Sequence, residues 1–188
     1  MRTRPHNFKS VLPVLALMIA GSLLGGCTTA PKTESGRENL HDSVSVMLRT
    51  MQDADPSLKD FMDHAYGYAL FPTVGKGGLI AGGAYGRGEV YADGAWAGYA
   101  DLSQATIGAQ AGGQEFSELL VFETQGALER FKQNKLRFAA NASAVALKSG
   151  AARSAKYEEG VAVFIRPPGG LMVEAAIGGQ SFTFRPAR

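Results

Sequence analysis

The stretch LIAGGAYGRGEVYADGAWAGYADL, residues 79–102, decides the fold. Asp93-Gly94 stands at its centre, and an Asp-Gly pair readily adopts the positive φ angles of a two-residue hairpin turn. The flanking runs are therefore expected to be paired strands: residues 79–85 and 88–92 on one side, residues 95–102 on the other. Glycines crowd this hairpin, with Gly82, Gly83, Gly86, Gly88 and Gly98 inside the runs and Gly77 and Gly78 just ahead of them. An interior glycine weakens a strand, so it usually marks a bulge, a sharp bend or a close backbone approach. Gly108, Gly112, Gly113, Gly178 and Gly179 repeat the pattern beside later runs. A strongly curved sheet needs such positions, and a loop that cradles a ligand is the competing reading.

Upstream the period changes from two to that of a helix. Leu40, Val44, Met47, Leu48 and Met51 share one helical face over residues 37–52. Asp55-Pro56 signals a second helix, with Asp55 as N-cap and Leu58, Phe61, Met62 and Ala65 as its apolar stripe. Both helices are expected to pack on the core; a surface helix lying on lipid is the alternative. A short strand at residues 68–71 is expected to stop at Pro72. Downstream, strands are expected at 106–111, 116–123, 142–147, 161–166, 171–177 and 181–184. A third helix fits residues 125–134, with Thr124 as cap and Leu128 and Phe131 facing inward. The fold class that results is α+β: N-terminal helices packed on a strongly curved, mostly antiparallel, barrel-like β-sheet.

The N-terminus carries a different message. Arg2, Arg4 and Lys9 precede residues 11–24, which are apolar apart from Pro13, Gly21 and Ser22. That run is shorter than the ~20 residues a spanning helix needs, and a basic flank before a short apolar run is the signal-peptide pattern. Residues 1–26 are read as a lipoprotein signal peptide. Leu24-Gly25-Gly26-Cys27 resembles the bacterial lipobox. The resemblance implies a diacylglyceryl group on the Cys27 thiol and a further acyl chain on its amine after cleavage. One chain binds a bilayer only marginally at ~0.8 kcal/mol per methylene, whereas two or three hold firmly. Thr28, where an Asp would retain such a lipoprotein in the inner membrane, implies the outer membrane, facing periplasm or cell surface. Residues 27–36 read as acylated cysteine and flexible tether, leaving residues 37–188 as one domain: helices to residue 66, then a β-rich part. Cys27 is the single cysteine, so no internal disulfide supports the domain and its core alone must hold it.

Charge is unevenly placed. Residues 28–129 hold 6 basic and 14 acidic side chains, whereas residues 130–188 hold 10 basic and 3 acidic. Arg130, Lys132, Lys135 and Arg137 crowd around the third helix, and Lys148, Arg153 and Lys156 lie in the loop that follows. These seven are the candidate anionic-headgroup site, since each cation near anionic lipid contributes ~1 kcal/mol. A solvated basic face is the plainer reading, and export argues against nucleic acid as partner. No cofactor or metal site is read: thiols are absent beyond Cys27, and His41 and His64 are too few for a His-rich zinc site. Gly83-Ala-Tyr-Gly86-Arg-Gly88 lacks the dinucleotide spacing, and no nucleophile elbow occurs. Glu158-Glu159 and Asp53/Asp55 are expected to be exposed rather than catalytic, so no enzymatic activity is expected.

Several pieces, taken in order, resemble the SYLF domain. They are Ala65-Tyr-Gly67-Tyr-Ala-Leu-Phe-Pro72, Gly75-Lys76-Gly77-Gly78, Gly83-Ala-Tyr-Gly86-Arg-Gly88 and Gly94-Ala-Trp96. Ile107-Gly108-Ala-Gln-Ala-Gly112-Gly113-Gln114, Leu120-Val-Phe122 and Gly178-Gly179-Gln180-Ser181-Phe182 continue the match. Bacterial members are often lipoproteins, and the resemblance implies lipid binding. Eukaryotic members bind phosphoinositides, partly through an amphipathic N-terminal helix, and some bind actin. Bacterial envelopes of this kind offer neither, so headgroup and partner do not carry over. The expected function is that of an outer-membrane-anchored, non-enzymatic lipid-binding protein; an envelope scaffold that binds a protein partner and, behind it, an enzyme acting on envelope polymers are the alternatives.

Overall fold

The computed structural model describes residues 29–78, 81–107, 114–138, 142, 144–168 and 177–187. The expected leader, Cys27 and almost all of the strand expected at 171–177 lie outside the described residues. Helix α1 spans Glu34–Ala54 and begins where the Thr33 side chain accepts from the Gly36 amide at 3.1 Å. Residues 34–36, expected in the tether, are thus its first turn. Helix α2 is Ser57–Asp63. Strands β1 (Gly67–Gly78), β2 (Ala81–Ala92), β3 (Ala95–Ile107) and β4 (Gln114–Phe122) follow, then helix α3 (Gln125–Lys132). Strand β5 is Val145–Ala146, helix α4 Ala151–Ser154, strand β6 Val161–Arg166 and strand β7 Gln180–Pro186. The strands form one sheet in the order β5-β6-β4-β1-β2-β3-β7, antiparallel except for the β5–β6 pair. Among the described residues the sheet does not close: β5 and β7 are its ends.

Proline does not stop β1, contrary to expectation. The strand runs through Pro72 by bulging on both sides at once. Phe71 and Pro72 together oppose the one residue between Arg87 and Glu89 on β2, and Pro72 and Thr73 oppose the one between Phe116 and Glu118 on β4. Proline has no N–H to give the ladder, and a bulge removes the need for one. The Pro72 carbonyl is satisfied sideways, by the Ser117 hydroxyl at 2.7 Å.

The bend curls the sheet onto itself. Gln180 on β7 donates to Glu118 on β4 at 2.9 Å, although β1, β2 and β3 lie between those strands in the sheet. Phe71, Leu120, Phe122 and Phe182 point into the concave side, and α3 fills it with Leu128 and Phe131. The Phe131 ring lies 5.1 Å from both Phe122 and Phe182. Thr124 caps α3 as expected, accepting from the Ala127 amide. The alternate residues Leu70, Leu119, Val121 and Phe164 face the convex side under Val44 and Met51 of α1 and Leu58 of α2. Burial on both faces explains why residues 119–122 of β4 and 161–165 of β6 read as unbroken apolar runs.

Two buried carboxyls control this assembly. Asp55 is fully buried rather than exposed. It accepts from the Ser57 amide (3.1 Å), the Ser57 hydroxyl (2.6 Å), the Gly150 amide (2.9 Å) and the Ala152 amide (2.7 Å). One side chain therefore caps α2 and ties it to α4. Burial pushes its pKa up, but the bonds from Ala152, Ser57 and Gly150 outweigh that and hold it below 3.8. Glu118, also fully buried, is pushed up to about 8 by desolvation, against the opposing effect of the Gln180 bond.

Asp55→Ala is expected to cost ~2–4 kcal/mol in urea unfolding, because it strands buried amides that the carboxylate satisfied. The depressed pKa makes this contribution present above pH 3.8 and lost as pH falls below it. Glu118 has the opposite sign. Its folded-state pKa is raised from 4.5 to about 8, so stability falls as pH rises across that window. The slope is ~1.4 kcal/mol per pH unit. Urea midpoints measured between pH 5 and 8 are expected to fall for the parent chain and to stay level for Glu118→Gln.

Candidate functional site

The seven basic residues singled out from sequence do not form one site. Arg130, Lys132, Lys135 and Arg137 lie on α3 and just after it, on the concave side with Leu128 and Phe131. Arg153 lies on α4 and Lys148 and Lys156 flank it on the convex side, where Leu147 and Ala152 are buried. The sheet separates the two groups. Internal contacts also occupy part of the first group. The Arg130 guanidinium donates to the Glu159 carbonyl, and that of Arg137 to the Asn134 and Leu136 carbonyls. Lys132 pairs with Glu129 at 3.1 Å and sits 5.7 Å from the Phe184 ring centre. Lys135, Lys148, Arg153 and Lys156 are exposed.

A different set of cations converges elsewhere. A cleft of about 540 Å³ opens between the N-terminal segment and the β3–β7 edge, lined chiefly by Pro31, Lys32, Arg37, Trp96, Tyr99 and Arg185. The hairpin builds its far wall. Asp93 and Gly94 take φ of 50° and 73°, as a two-residue turn requires, and Trp96 is the second residue after it. Val90 pairs with Gly98 and Tyr91 with Trp96, so Ala97 is an extra residue that bulges β3. Gly98 has φ of 149°, and a Cβ there would overlap the Arg185 carbonyl oxygen. Glycine thus lets β7 close tightly enough for Tyr99 to stand opposite Arg185 in register. The Trp96 ring meets Tyr99 edge-on at 5.2 Å, and the Ala187 amide bonds Ala97 at 2.8 Å to pin the end of β7.

The near wall comes from the chain entering α1. Thr29 is 7% exposed and Ala30 and Pro31 are half-buried, so this part of the expected tether is packed against the domain. Arg37 in the first turns of α1 donates to the Pro31 carbonyl at 3.4 Å. Among the described residues every charged side chain lining the cleft is a cation: Lys32, Arg37 and Arg185. Among the described residues neither Lys32 nor Arg185 has an ion pair or a side-chain hydrogen bond. Burial raises the Tyr99 pKa, with Glu89 adding to the shift and Arg37 opposing it. Trp96 remains 40% exposed at the rim.

The neighbouring carboxylates are already paired. Glu89, 2% exposed, accepts from the Tyr91 hydroxyl at 2.8 Å and lies 3.1 Å from His41 Nδ1. Burial, and then the Glu89 bond, push the Tyr91 phenol far above its ordinary value. Asp101 accepts from Arg87 Nε at 2.9 Å and from the Tyr85 hydroxyl at 3.0 Å. Among the described residues no group of three or more His, Cys, Asp or Glu side chains is placed to hold a metal ion. What the cleft offers chemically is cationic, aromatic-walled recognition of an anion.

Sequence reasoning did not find this cleft, because its cations are spread from residue 32 to residue 185. One signal was available: the single tryptophan of the chain stands two residues after a tight turn, near the tip of a hairpin, where a large ring cannot easily be buried.

The chain matches no family model. It is 27% identical over 154 residues to Beta cell expansion factor A of Aeromonas veronii, a match covering 81% of this chain and 59% of that protein. The chain therefore spans less than two thirds of that relative's length. The class of protein that fold and site define is an α+β domain built on an open, curled sheet with a cationic cleft at the β3–β7 edge.

Gly98→Ala is expected to destabilise the domain by ~2 kcal/mol or more, since the new Cβ meets backbone that cannot move aside. Thermal unfolding measures it, and Gly94→Ala, strained by φ but open in space, provides the milder comparison.

Proposed function

We propose that this chain is an outer-membrane lipoprotein, acylated at Cys27, whose SYLF-like domain binds anionic lipid headgroups without catalysing a reaction. The observation that carries this reading is the cleft whose charged lining consists of Lys32, Arg37 and Arg185. Its position supports the same reading. Thr29, two residues after the proposed anchor residue, is buried, and Ala30, Pro31 and Lys32 line the cleft. The pairing of Asp55, Glu89 and Asp101 with fixed donors supports a binding role over acid–base chemistry. The name of the Aeromonas veronii relative describes an effect on beta cells. At 27% identity, and with part of that protein unmatched, the effect is not assigned to this chain.

Among the described residues no helix is long and apolar enough to cross a membrane, so on this reading attachment falls to the acyl chains. The α1 helix contributes little to it. Val44 and Met51 are buried against the sheet, and Leu40, Met47 and Leu48 pack beside them. The lipid-binding surface is assigned instead to the cleft, with Lys135 and its neighbours as a secondary basic face.

Co-sedimentation of residues 28–188 with vesicles tests the assignment. Binding to anionic vesicles is expected, and little to zwitterionic ones. Neutralising Lys32, Arg37 and Arg185 together is expected to weaken binding ~100-fold, at ~1 kcal/mol per cation and ~1.4 kcal/mol per tenfold. The same change at Lys132, Lys135 and Arg137 is expected to have a smaller effect. Equal loss in both sets, or no binding to any anionic lipid, would overturn the assignment to the cleft.

A further inference from the structure

We infer that the cleft is held flat against the very leaflet that carries the chain's own anchor, where it grips the phosphate of a lipid headgroup while Trp96 sits in the interfacial layer beside it. The inference rests on the proposed acylation of Cys27 and adds an orientation, a depth and a ligand group.

Chain length sets the geometry. Thr29 is packed at 7% exposure, and Ala30, Pro31 and Lys32 line the cleft. Two peptide units separate Cys27 from Thr29, so their Cα atoms lie at most ~7 Å apart. The polar layer on each side of a bilayer is itself ~5–7 Å deep. A thioether rooted in the acyl region therefore brings the cleft mouth to the level of the phosphates. A long free tether would allow the domain to turn either way, but the burial of Thr29, the half-burial of Ala30 and Pro31 and the capping of α1 by Thr33 remove that freedom.

The lining suits that level. Tryptophan and tyrosine collect at the membrane interface, where an apolar ring and a polar edge are both satisfied. Trp96, 40% exposed and braced edge-on by Tyr99, presents such a ring at the rim. Long cationic side chains extend to lipid phosphates while their stems stay in apolar surroundings. Lys32 and Arg185 have no competing internal partner among the described residues. At about 540 Å³ the cleft is larger than a bare phosphate needs, and a phosphate with its glycerol and headgroup substituent fills it better.

The chain has one tryptophan, so its fluorescence reports on the cleft alone. The test uses the mature acylated protein in phosphatidylcholine vesicles with and without phosphatidylglycerol, the lipids carrying quenchers either at the headgroup or deep in the acyl chain. Expected are a blue-shifted emission and stronger quenching by the shallow label than by the deep one, both larger when phosphatidylglycerol is present. Arg185→Glu is expected to abolish the part that depends on phosphatidylglycerol. Lys32→Glu, at an exposed position, keeps the test decisive if Arg185→Glu fails to fold. Emission that stays water-like in protein that is acylated and vesicle-bound overturns the inference and leaves the anchor reading intact. Quenching that is unaffected by phosphatidylglycerol and by both variants overturns the headgroup contact. Inorganic phosphate that shifts the emission of lipid-free protein as far as vesicles do makes the ligand a soluble phosphate compound, which also overturns it. An unmodified residue 27 in protein absent from vesicles overturns the proposed function itself.

Discussion

The Gln180 carboxamide reaches Glu118 across the concave face because β1 bends at Pro72, and much of the structure follows from that bend. A central strand shared by two ladders cannot bulge on one side alone without shearing the other. Here both registers shift within the same three residues, so β2 and β4 are deflected together. The curl that results brings Phe182 onto Phe71 and Phe131 and gives α3 an interior to fill. It also creates a sheet with two apolar faces. The N-terminal helices then find a convex surface of Leu70, Leu119, Val121 and Phe164 on which to bury Val44, Met51 and Leu58.

The second structural theme is how the N-terminal part is fixed to this sheet. Asp55 joins α2 to the loop before α4, and the Phe61 ring continues the contact by stacking on Tyr157 at 4.8 Å. Farther along α1, His41 and Tyr91 meet at the buried Glu89, with Tyr68 stacked on Tyr91 at 4.8 Å. Arg37 and the segment before it then reach the β3–β7 edge and complete the cleft. Helix placement and cleft geometry are therefore one problem: whatever shifts α1 on the sheet also moves Arg37 relative to Arg185.

Local signals in the sequence translated well where a single short-range rule governed the outcome. Asp93-Gly94 made the hairpin, Thr124 capped α3, and the apolar run at 161–166 became β6 with those bounds. The α+β class and the curvature followed from the same signals. Where long-range structure decided, local rules misled. Pro72 looks like a stop until the partner strands supply a bulge on each side. Asp55 looks like an exposed cap until Gly150 and Ala152, nearly a hundred residues later, bring their amides to it. The basic cluster looked like one site because seven cations are close in sequence, yet adjacent elements of a sheet protein lie on opposite faces. The cleft was hidden for the converse reason. Its walls are cross-strand and helix-edge neighbours, and nothing in the spacing of Lys32, Trp96 and Arg185 brings them together.

The two buried carboxyls also carry a consequence for how the chain acquires its shape. Asp55 waits for residues 150 and 152, and Glu118 waits for residue 180 near the end of the described chain. Such pairings close large loops before any contact rewards them, and domains dominated by them fold slowly, on a scale of ~ms to s. A growing or threading chain of this sequence leaves Asp55 unsatisfied until residues 150 and 152 arrive, and Glu118 until β7 does. Loss of β7 thus deprives Glu118, 62 residues before Gln180, of that donor, and only a chain cut before residue 150 deprives Asp55 of its distant amides.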